Sequence, residues 1–219
     1  TMDMTTHLTA NPLETGGDEL ERYALEECVK RQRIDHRVSV LVVSDKRCET
    51  APKFARLGAE VLIADFPDFA QEIEGRILAS GLREQIAYLP TTLQTLPAEL
   101  PGQPFDIIFI RRGVCGLRYP EAREVIQALK QRLRIGGKLY LSVLGLHSEL
   151  GHGYADAEQT IEQRFAELAP DLREKYGIRQ PVCLYSERNL FMLLLEAGTS
   201  VLLTQTTTYG NVKGIAVRV

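Results

Sequence analysis

Residues 38–65 read VSVLVVSDKRCETAPKFARLGAEVLIAD, and this stretch decides the fold. An apolar, β-branched run at 38–43 leads into a short polar loop and then into a helical segment that ends at Gly58. A second apolar run begins at Val61 and stops at Asp65. This order predicts a strand–helix–strand unit of an open parallel sheet. In many such sheets the first loop and the acid that closes the second strand bind the two ends of a nucleoside.

The loop of this unit reads Ser44-Asp45-Lys46-Arg47-Cys48 and contains no glycine. Glycine is usual where a backbone approaches a ligand closely, because it has no side chain and tolerates positive φ. The pattern therefore predicts the architecture of the unit but leaves its ligand chemistry open.

Length and composition favour one large α/β domain. The chain has 219 residues, of which 44% are hydrophobic, enough for a real core. The net charge of −3 provides no general field for nucleic acid, so we expect no such partner. We find no apolar stretch long enough to span a bilayer and no secretory signal pattern, and we expect no membrane association. The cysteines lie far apart without a C-x-x-C pair, which predicts free thiols, a cytoplasmic location and no metal site; they are Cys28, Cys48, Cys115 and Cys183.

The rest of the chain alternates strand and helix patterns. The predicted elements are a flexible arm at 1–17, a helix capped by Asp18 and running to about 33, a helix at 68–80, a strand at 85–89, a strand at 105–110, a helix from Pro120 that includes Leu133 and ends at Gly136-Gly137, a strand at 138–144, a helix at 155–168, a helix at 186–197 and a hairpin around Gly210-Asn211.

These elements predict a seven-stranded, mostly parallel Rossmann-like sheet with helices on both faces and a C-terminal antiparallel hairpin. We expect the last strand to lie beside the fifth. Residues 18–219 form one domain in this interpretation. The segment 145–185 follows the fifth strand, so we expect it to cover the carboxyl edge of the sheet as a lid.

Four phrases carry a resemblance to the class I S-adenosylmethionine-dependent methyltransferase family. They are FARLGAEVLIAD (54–65), LPGQPFDIIFIRR (100–112), ALKQRLRIGGKLYLSV (128–143) and LYSERNLFMLLLEAG (184–198). Their order and spacing extend the resemblance over residues 18–219. The terminal hairpin and the missing G-x-G-x-x-G motif disfavour an NAD-dependent oxidoreductase.

The resemblance implies a cofactor loop with an acid and three glycines at alternate positions. In this chain the acid position falls on Val42, and the glycine positions fall on Ser44, Lys46 and Cys48. All four depart from the family pattern. If the loop takes a different course, the side chains of Lys46 and Arg47 fill the space of the methionine moiety. We expect that arrangement, and therefore weak or absent binding of S-adenosylmethionine.

The resemblance also implies a set of cofactor-binding residues. Asp65 matches the position that holds the ribose hydroxyls, since a carboxylate offers paired acceptors to a diol. Thr91 or Thr92 falls near the adenine. The loop residues Ser44 and Asp45 and the arginine at position 111 complete the predicted cofactor set (Ser44, Asp45, Asp65, Thr92, Arg111). Each residue also has a structural interpretation, such as a helix cap for Asp65 or a surface ion pair for the arginines.

Catalytic residues stay unassigned, and the candidates are Arg111, His147 and His152. Arg111 follows the fourth strand, at the edge where open α/β folds bind ligands. His147 and His152 lie in the predicted lid, at a spacing that matches no usual zinc pattern, so we predict no metal.

Two functions stay open at this point. The first is a methyltransferase-like enzyme that uses S-adenosylmethionine and acts on a small or anionic substrate. The second is a catalytically inactive descendant with a binding, regulatory or scaffolding role, for which a protein partner or a homodimer is expected. The replaced glycines leave enzyme status uncertain and allow that the cofactor has been lost.

Overall fold

The structure is a computed structural model that describes residues 18–32 and 36–219. The arm predicted at 1–17 lies outside these residues. The strands of the described part are β1 (Ser39–Val43), β2 (Glu60–Asp65), β3 (Ile86–Pro90), β4 (Phe105–Arg111), β5 (Leu133–Val143), β6 (Ser200–Thr206) and β7 (Val212–Val217). Its α-helices are α1 (Glu19–Gln32), α2 (Ala51–Arg56), α3 (Ala70–Ser80), α4 (Leu96–Glu99), α5 (Tyr119–Lys130), α6 (Pro170–Tyr176) and α7 (Glu187–Glu196).

The seven strands form one sheet in the order β3-β2-β1-β4-β5-β7-β6. Strands β1 to β5 pair in parallel, and β7 is antiparallel to both of its neighbours, β5 and β6. The predicted fold class is confirmed, including the position of the last strand beside the fifth. Crossovers of this kind bring the carboxyl ends of β1, β2 and β4 to one edge of the sheet.

Helices cover both faces of the sheet, and the core is correspondingly two-sided. All seven residues of β4 are buried. Ile107 and Phe109 pack toward α1, α2 and α3, whereas Ile108 and Ile110 pack toward α5 and α7. A strand covered on both faces is expected to be apolar, as β4 is from Ile107 to Ile110, between Asp106 and Arg111.

The end of α5 corrects one expectation. Leu133 and Gly136-Gly137 were predicted to close this helix, but α5 ends at Lys130, and Leu133 already belongs to β5. Leu133 pairs with Phe105 of β4, and the backbone N–H of Phe105 donates to the carbonyl of Arg132 at 2.8 Å. Pairing with β4 brings these residues into the ladder, and this tertiary pairing outweighs the helical spacing of the leucines.

The segment 145–185, predicted to be a lid and called the lid below, differs from prediction in one element. The helix predicted at 155–168 is wrong. Residues 155–168 form turns, and the helix of this segment is α6. The Asp156 carboxylate accepts the backbone N–H of Phe165 at 2.9 Å. The Arg164 guanidinium donates to the carbonyls of Gln159 and Leu184 at 3.0 and 2.8 Å. These side chains form hydrogen bonds with the backbone groups of a folded loop. Helix propensities take no account of such bonds and so do not predict the loop.

The described residues contain no helix that is long and apolar enough to cross a membrane.

Truncation of one core side chain tests the position of β4. Ile108 is fully buried, so Ile108→Ala should lower the free energy of unfolding by about 2–5 kcal/mol. Ile135 is 77% exposed, and Ile135→Ala should change stability by about 0.5 kcal/mol or less. Denaturant unfolding of the three proteins measures both values. Equal midpoints for the wild type and Ile108→Ala would exclude a central position for β4.

Candidate functional site

A crevice opens where β1, β2 and β4 end. Its larger part is a cavity of about 550 Å³, within the range of about 300–1,000 Å³ that is usual for ligand sites. The lining consists of the loop after β1, the residues that follow β2, the two arginines at the end of β4 and one lid residue; it comprises Ser44, Asp45, Lys46, Arg47, Glu49, Thr50, Asp65, Phe66, Phe69, Arg111, Arg112 and Tyr176.

A smaller cavity of about 60 Å³ adjoins the larger one and shares Ser44, Asp65 and Phe66 with it. Its remaining walls include Thr91 and Thr92. The crevice therefore has a narrow half beside β2 and β3 and an open half beside the loop after β1. Most of the predicted cofactor residues come together around these two halves.

Asp65 stands at the junction of the two halves and is 7% exposed. Its carboxylate accepts the backbone N–H of Phe66 at 2.8 Å. Burial raises the pKa of Asp65, and the backbone N–H groups of Phe66 and Asp45 only partly offset that increase. A buried carboxylate at the end of β2 that opens onto a crevice can accept hydrogen bonds from a bound diol.

Phe66 is the wall residue that the sequence interpretation missed. It follows Asp65 directly, is 48% exposed and contacts Phe69 with a ring-centroid distance of 6.2 Å. An exposed aromatic ring at the mouth of a cleft is a surface on which a planar base can stack. The available signal was an aromatic residue immediately after the acid that closes a predicted strand.

The loop after β1 uses its own carboxylate as a helix cap. Asp45 accepts the backbone N–H groups of Glu49, Thr50 and Ala51 at 3.0, 3.2 and 2.8 Å. Ala51 is the first residue of α2, and Glu49 and Thr50 directly precede it, so Asp45 binds backbone donors at the start of this helix that would otherwise lack partners. Burial raises the pKa of Asp45, and the three donors partly offset that increase. Asp45 was predicted to bind a cofactor; in the structure its carboxylate is directed at the protein backbone.

Two residues of the loop after β1 have a backbone conformation that favours glycine. Ser44 and Cys48 have φ values of 69° and 52°, in the left-handed region that glycine adopts most easily. The backbone of Ser44 and Cys48 is therefore strained, because both residues have a side chain. Lys46 and Arg47 are exposed, and the Lys46 ammonium lies 4.6 Å from the centroid of the Phe69 ring. Their side chains line the open half of the crevice without filling its cavity.

Arg111 lies below the crevice in a buried ionic cluster. Its guanidinium contacts Glu21 of α1 and the hydroxyl of Thr50, each at 3.1 Å. Glu21 also pairs with Lys53 of α2. Arg111 is 6% exposed and lies over the ring of Phe109 at 4.9 Å. Although it reaches the cavity wall as predicted, most of its charge is matched by Glu21.

Arg112 differs from its neighbour. It is half-buried, lines the open half and forms no ion pair with a carboxylate of residues 18–32 or 36–219. Burial, together with the adjacent Arg111, lowers the pKa of Arg112. Lys46 and Arg47 likewise have no carboxylate partner within the described ranges. The open half therefore has three cations without a direct ion pair to a carboxylate of the described ranges, although Asp18 acts on Arg112 and Lys46 on Asp65 at longer range.

The lid reaches the crevice through Tyr176 rather than through its histidines. His147 and His152 are both exposed, and neither lines a cavity of the crevice. The Tyr176 hydroxyl donates to Glu149, and Lys175 binds the same carboxylate at 3.0 Å. Burial acts to raise the pKa of Glu149, but these hydrogen bonds outweigh it and lower the pKa.

Within the described ranges, no three His, Cys, Asp or Glu side chains are grouped to hold a metal ion. The four cysteines are buried and unpaired. Burial raises the pKa of Cys115 to about 12, a direction opposite to the one that activates a nucleophilic thiol.

No protein-family model matches this sequence, and no curated protein matches it either. Solved structures do match. An O-methyltransferase family protein from Burkholderia thailandensis aligns over 91% of this chain and 56% of its own, at 14% identity and a TM-score of 0.63. The apo form of the S-adenosylmethionine-dependent methyltransferase SibL aligns over 90% and 55%, at 13% identity and a TM-score of 0.60.

The chain has the fold of the S-adenosylmethionine-dependent methyltransferases. The glycopeptide N-methyltransferase MtfA, solved with S-adenosyl-L-methionine, aligns over 90% of this chain and 94% of its own, at 16% identity and a TM-score of 0.59. The chain thus spans about half the length of the first two structures but nearly the whole of the third. Matches of this identity establish the methyltransferase fold and not its activity.

The raised pKa of Asp65 predicts a pH-dependent difference in stability. A carboxyl whose folded pKa exceeds its unfolded value, about 3.9 for aspartate, binds protons more tightly in the folded state. The free energy of unfolding of the wild type should therefore fall relative to Asp65→Asn as the pH rises from about 4 through the folded pKa.

Denaturant unfolding at fixed pH values between about 3.5 and 7.5 measures this difference, with Asp68→Asn as a control for loss of a nearby exposed carboxylate. A wild type that instead gains stability over Asp65→Asn across this window would contradict the assignment.

Proposed function

We propose that this chain is a methyltransferase-like protein that uses S-adenosylmethionine and acts on a small or anionic substrate. The observation that carries the proposal is Asp65, a buried carboxylate at the end of β2 that opens onto the crevice. It lies in a fold for which the MtfA structure contains S-adenosyl-L-methionine.

The residues around Asp65 suit the nucleoside part of such a cofactor. The Asp65 carboxylate would accept the two ribose hydroxyls, and Phe66 and Thr92 would flank the base. When bound, the cofactor supplies a methyl group on a positively charged sulfur. The contribution of the chain would be to align the reactants and, through Tyr176 of the lid, to limit the access of water.

The narrow half must widen before a nucleoside can enter. Its volume of about 60 Å³ lies well below the about 300 Å³ at which ligand cavities usually begin. The half-exposed ring of Phe66 is shared by both cavities, and its rotation would join them. The proposal therefore includes a movement of this side chain.

A catalytically inactive module is the second candidate, and the open half favours it. Lys46, Arg47 and Arg112 lie where the loop would meet the sulfonium group, and like charges repel strongly in a poorly solvated crevice. The Asp45 carboxylate also occupies the backbone donors of α2. Such a module would act through binding, regulation or scaffolding, with a protein partner or a second copy; both these partners and the cytoplasmic location stay predictions.

Calorimetric titration with S-adenosylmethionine and S-adenosylhomocysteine tests the proposal. The proposal requires micromolar binding by the wild type, in place of the weak or absent binding expected from the loop sequence alone. It also requires an affinity about tenfold or more lower in Asp65→Ala, since hydrogen bonds to a charged group contribute about 1.5–3 kcal/mol. The control is Asp68→Ala, which removes an exposed carboxylate of the same strand–helix connection.

Titrations that show no heat of binding at millimolar concentrations of both compounds would favour the inactive module. Equal affinities of the wild type and Asp65→Ala would remove Asp65 from the site.

A further inference from the structure

We propose that the open half of the crevice is an anion subsite in which Arg112, Lys46 and Arg47 bind a carboxylate or phosphate of the methyl acceptor. The inference rests on the proposed function, because an acceptor presupposes methyl transfer. It narrows the substrate to a molecule that carries an oxyanion.

Unmatched positive charge is the first argument. The cations just below the crevice are paired, with Arg111 and Lys53 sharing Glu21 and Lys213 binding Asp18 at 3.1 Å. In contrast, no carboxylate of the described ranges pairs with any of the three subsite cations. Within the described ranges, direct ion pairs are therefore formed at the floor of the cavity but not by these three cations of its lining.

The carboxylates in the cavity wall are already engaged or lie at its rim. Asp45 accepts three backbone N–H groups at and just before the start of α2, and Asp65 accepts that of Phe66. Glu49 is exposed to solvent. These groups reduce the positive potential of the cavity without forming a direct partner for a guanidinium.

Unused donors are the second argument. Arg112 is half-buried, and the guanidinium Nε of the 6% exposed Arg111 has no acceptor in the described part of the chain. A partly desolvated cation without a direct partner, such as Arg112, costs free energy that an arriving oxyanion would recover, whereas the Arg111 Nε is enclosed by the protein and out of its reach. A guanidinium suits both carboxylate and phosphate, because its planar N–H groups can bind two oxygens at once.

The position of the subsite couples it to the cofactor. An unoccupied set of cations would repel the sulfonium of S-adenosylmethionine, whereas a bound oxyanion would neutralise them. The two ligands should therefore strengthen each other's binding, since a coupling free energy between two sites is reciprocal. The neutral thioether of S-adenosylhomocysteine lacks the repelled charge and should show a smaller effect.

Inorganic phosphate is the probe. Calorimetry would measure phosphate binding to the full chain, and then binding of S-adenosylmethionine and S-adenosylhomocysteine in phosphate and in chloride of equal ionic strength. We expect phosphate to raise the affinity for S-adenosylmethionine about tenfold, a typical magnitude for coupled sites, and to change that for S-adenosylhomocysteine less.

Variants identify the cations. Arg112→Gln should weaken phosphate binding about tenfold or more, as expected for loss of a charged hydrogen-bond partner. Arg83→Gln is the control, since Arg83 is exposed in the turn before β3, at the opposite edge of the sheet. If Arg112→Gln does not fold, Lys46→Gln, which changes an exposed side chain, should still weaken phosphate binding measurably.

The outcomes separate this inference from the proposed function. Phosphate that fails to bind, or that binds equally to wild type, Arg112→Gln and Lys46→Gln (an adventitious ion only), would overturn the subsite. Phosphate that competes with both nucleosides would overturn its assignment to the acceptor and give the cations to the carboxylate tail of the cofactor. Phosphate binding that Arg112→Gln or Lys46→Gln weakens, without binding of S-adenosylmethionine or S-adenosylhomocysteine, would support the anion site and contradict the proposed function.

Discussion

The Arg111 guanidinium leaves the central strand β4 at a point where almost no water reaches it. A charge in such a place is tolerated only with a well-placed counter-charge and further hydrogen bonds. Glu21 of α1 supplies the charge and Thr50, just before α2, supplies a hydroxyl. The start of α1 and the residue before α2 are thereby tied to a strand end that is distant from both in sequence, and Thr50 and Arg111 of this cluster line the crevice. The positions of the loop after β1 and of the cations above it depend on this pairing.

Local sequence was sufficient for the strand–helix–strand unit around β1 and β2, since its apolar runs and Gly58 determine the elements without reference to the rest of the chain. Asp65 was predictable for the same reason, because a residue at the carboxyl end of a parallel strand lies at the carboxyl edge of the sheet. The partner of Arg111 was not predictable, since Glu21 lies 90 residues away and contacts it only in the folded sheet. Leu133 and the turns at 155–168 escaped prediction because tertiary partners outweighed their helical spacing: β4 for Leu133 and the carbonyl of Leu184 for Arg164.

The two halves of the crevice have different relations to the methyltransferase fold. Beside β2 the buried carboxylate of Asp65 adjoins the exposed aromatic ring of Phe66. Beside β1 the glycines are replaced, yet Ser44 and Cys48 keep left-handed backbone conformations. A strained backbone persists only where its surroundings hold it in place. The loop thus has the approximate course of a ligand-binding loop, together with side chains that change the charge of the ligand it would accept.

The Asp45 carboxylate also has a consequence for ligand competition. It is tethered a few residues from the donors it caps, so its effective concentration at the start of α2 is on the order of millimolar or more. A free carboxylate or phosphate would have to displace this intramolecular ligand before it could use the same N–H groups. The Asp45 carboxylate thus blocks anion binding to the backbone N–H groups of its own loop. A soluble anion would contact the arginine side chains of the crevice first.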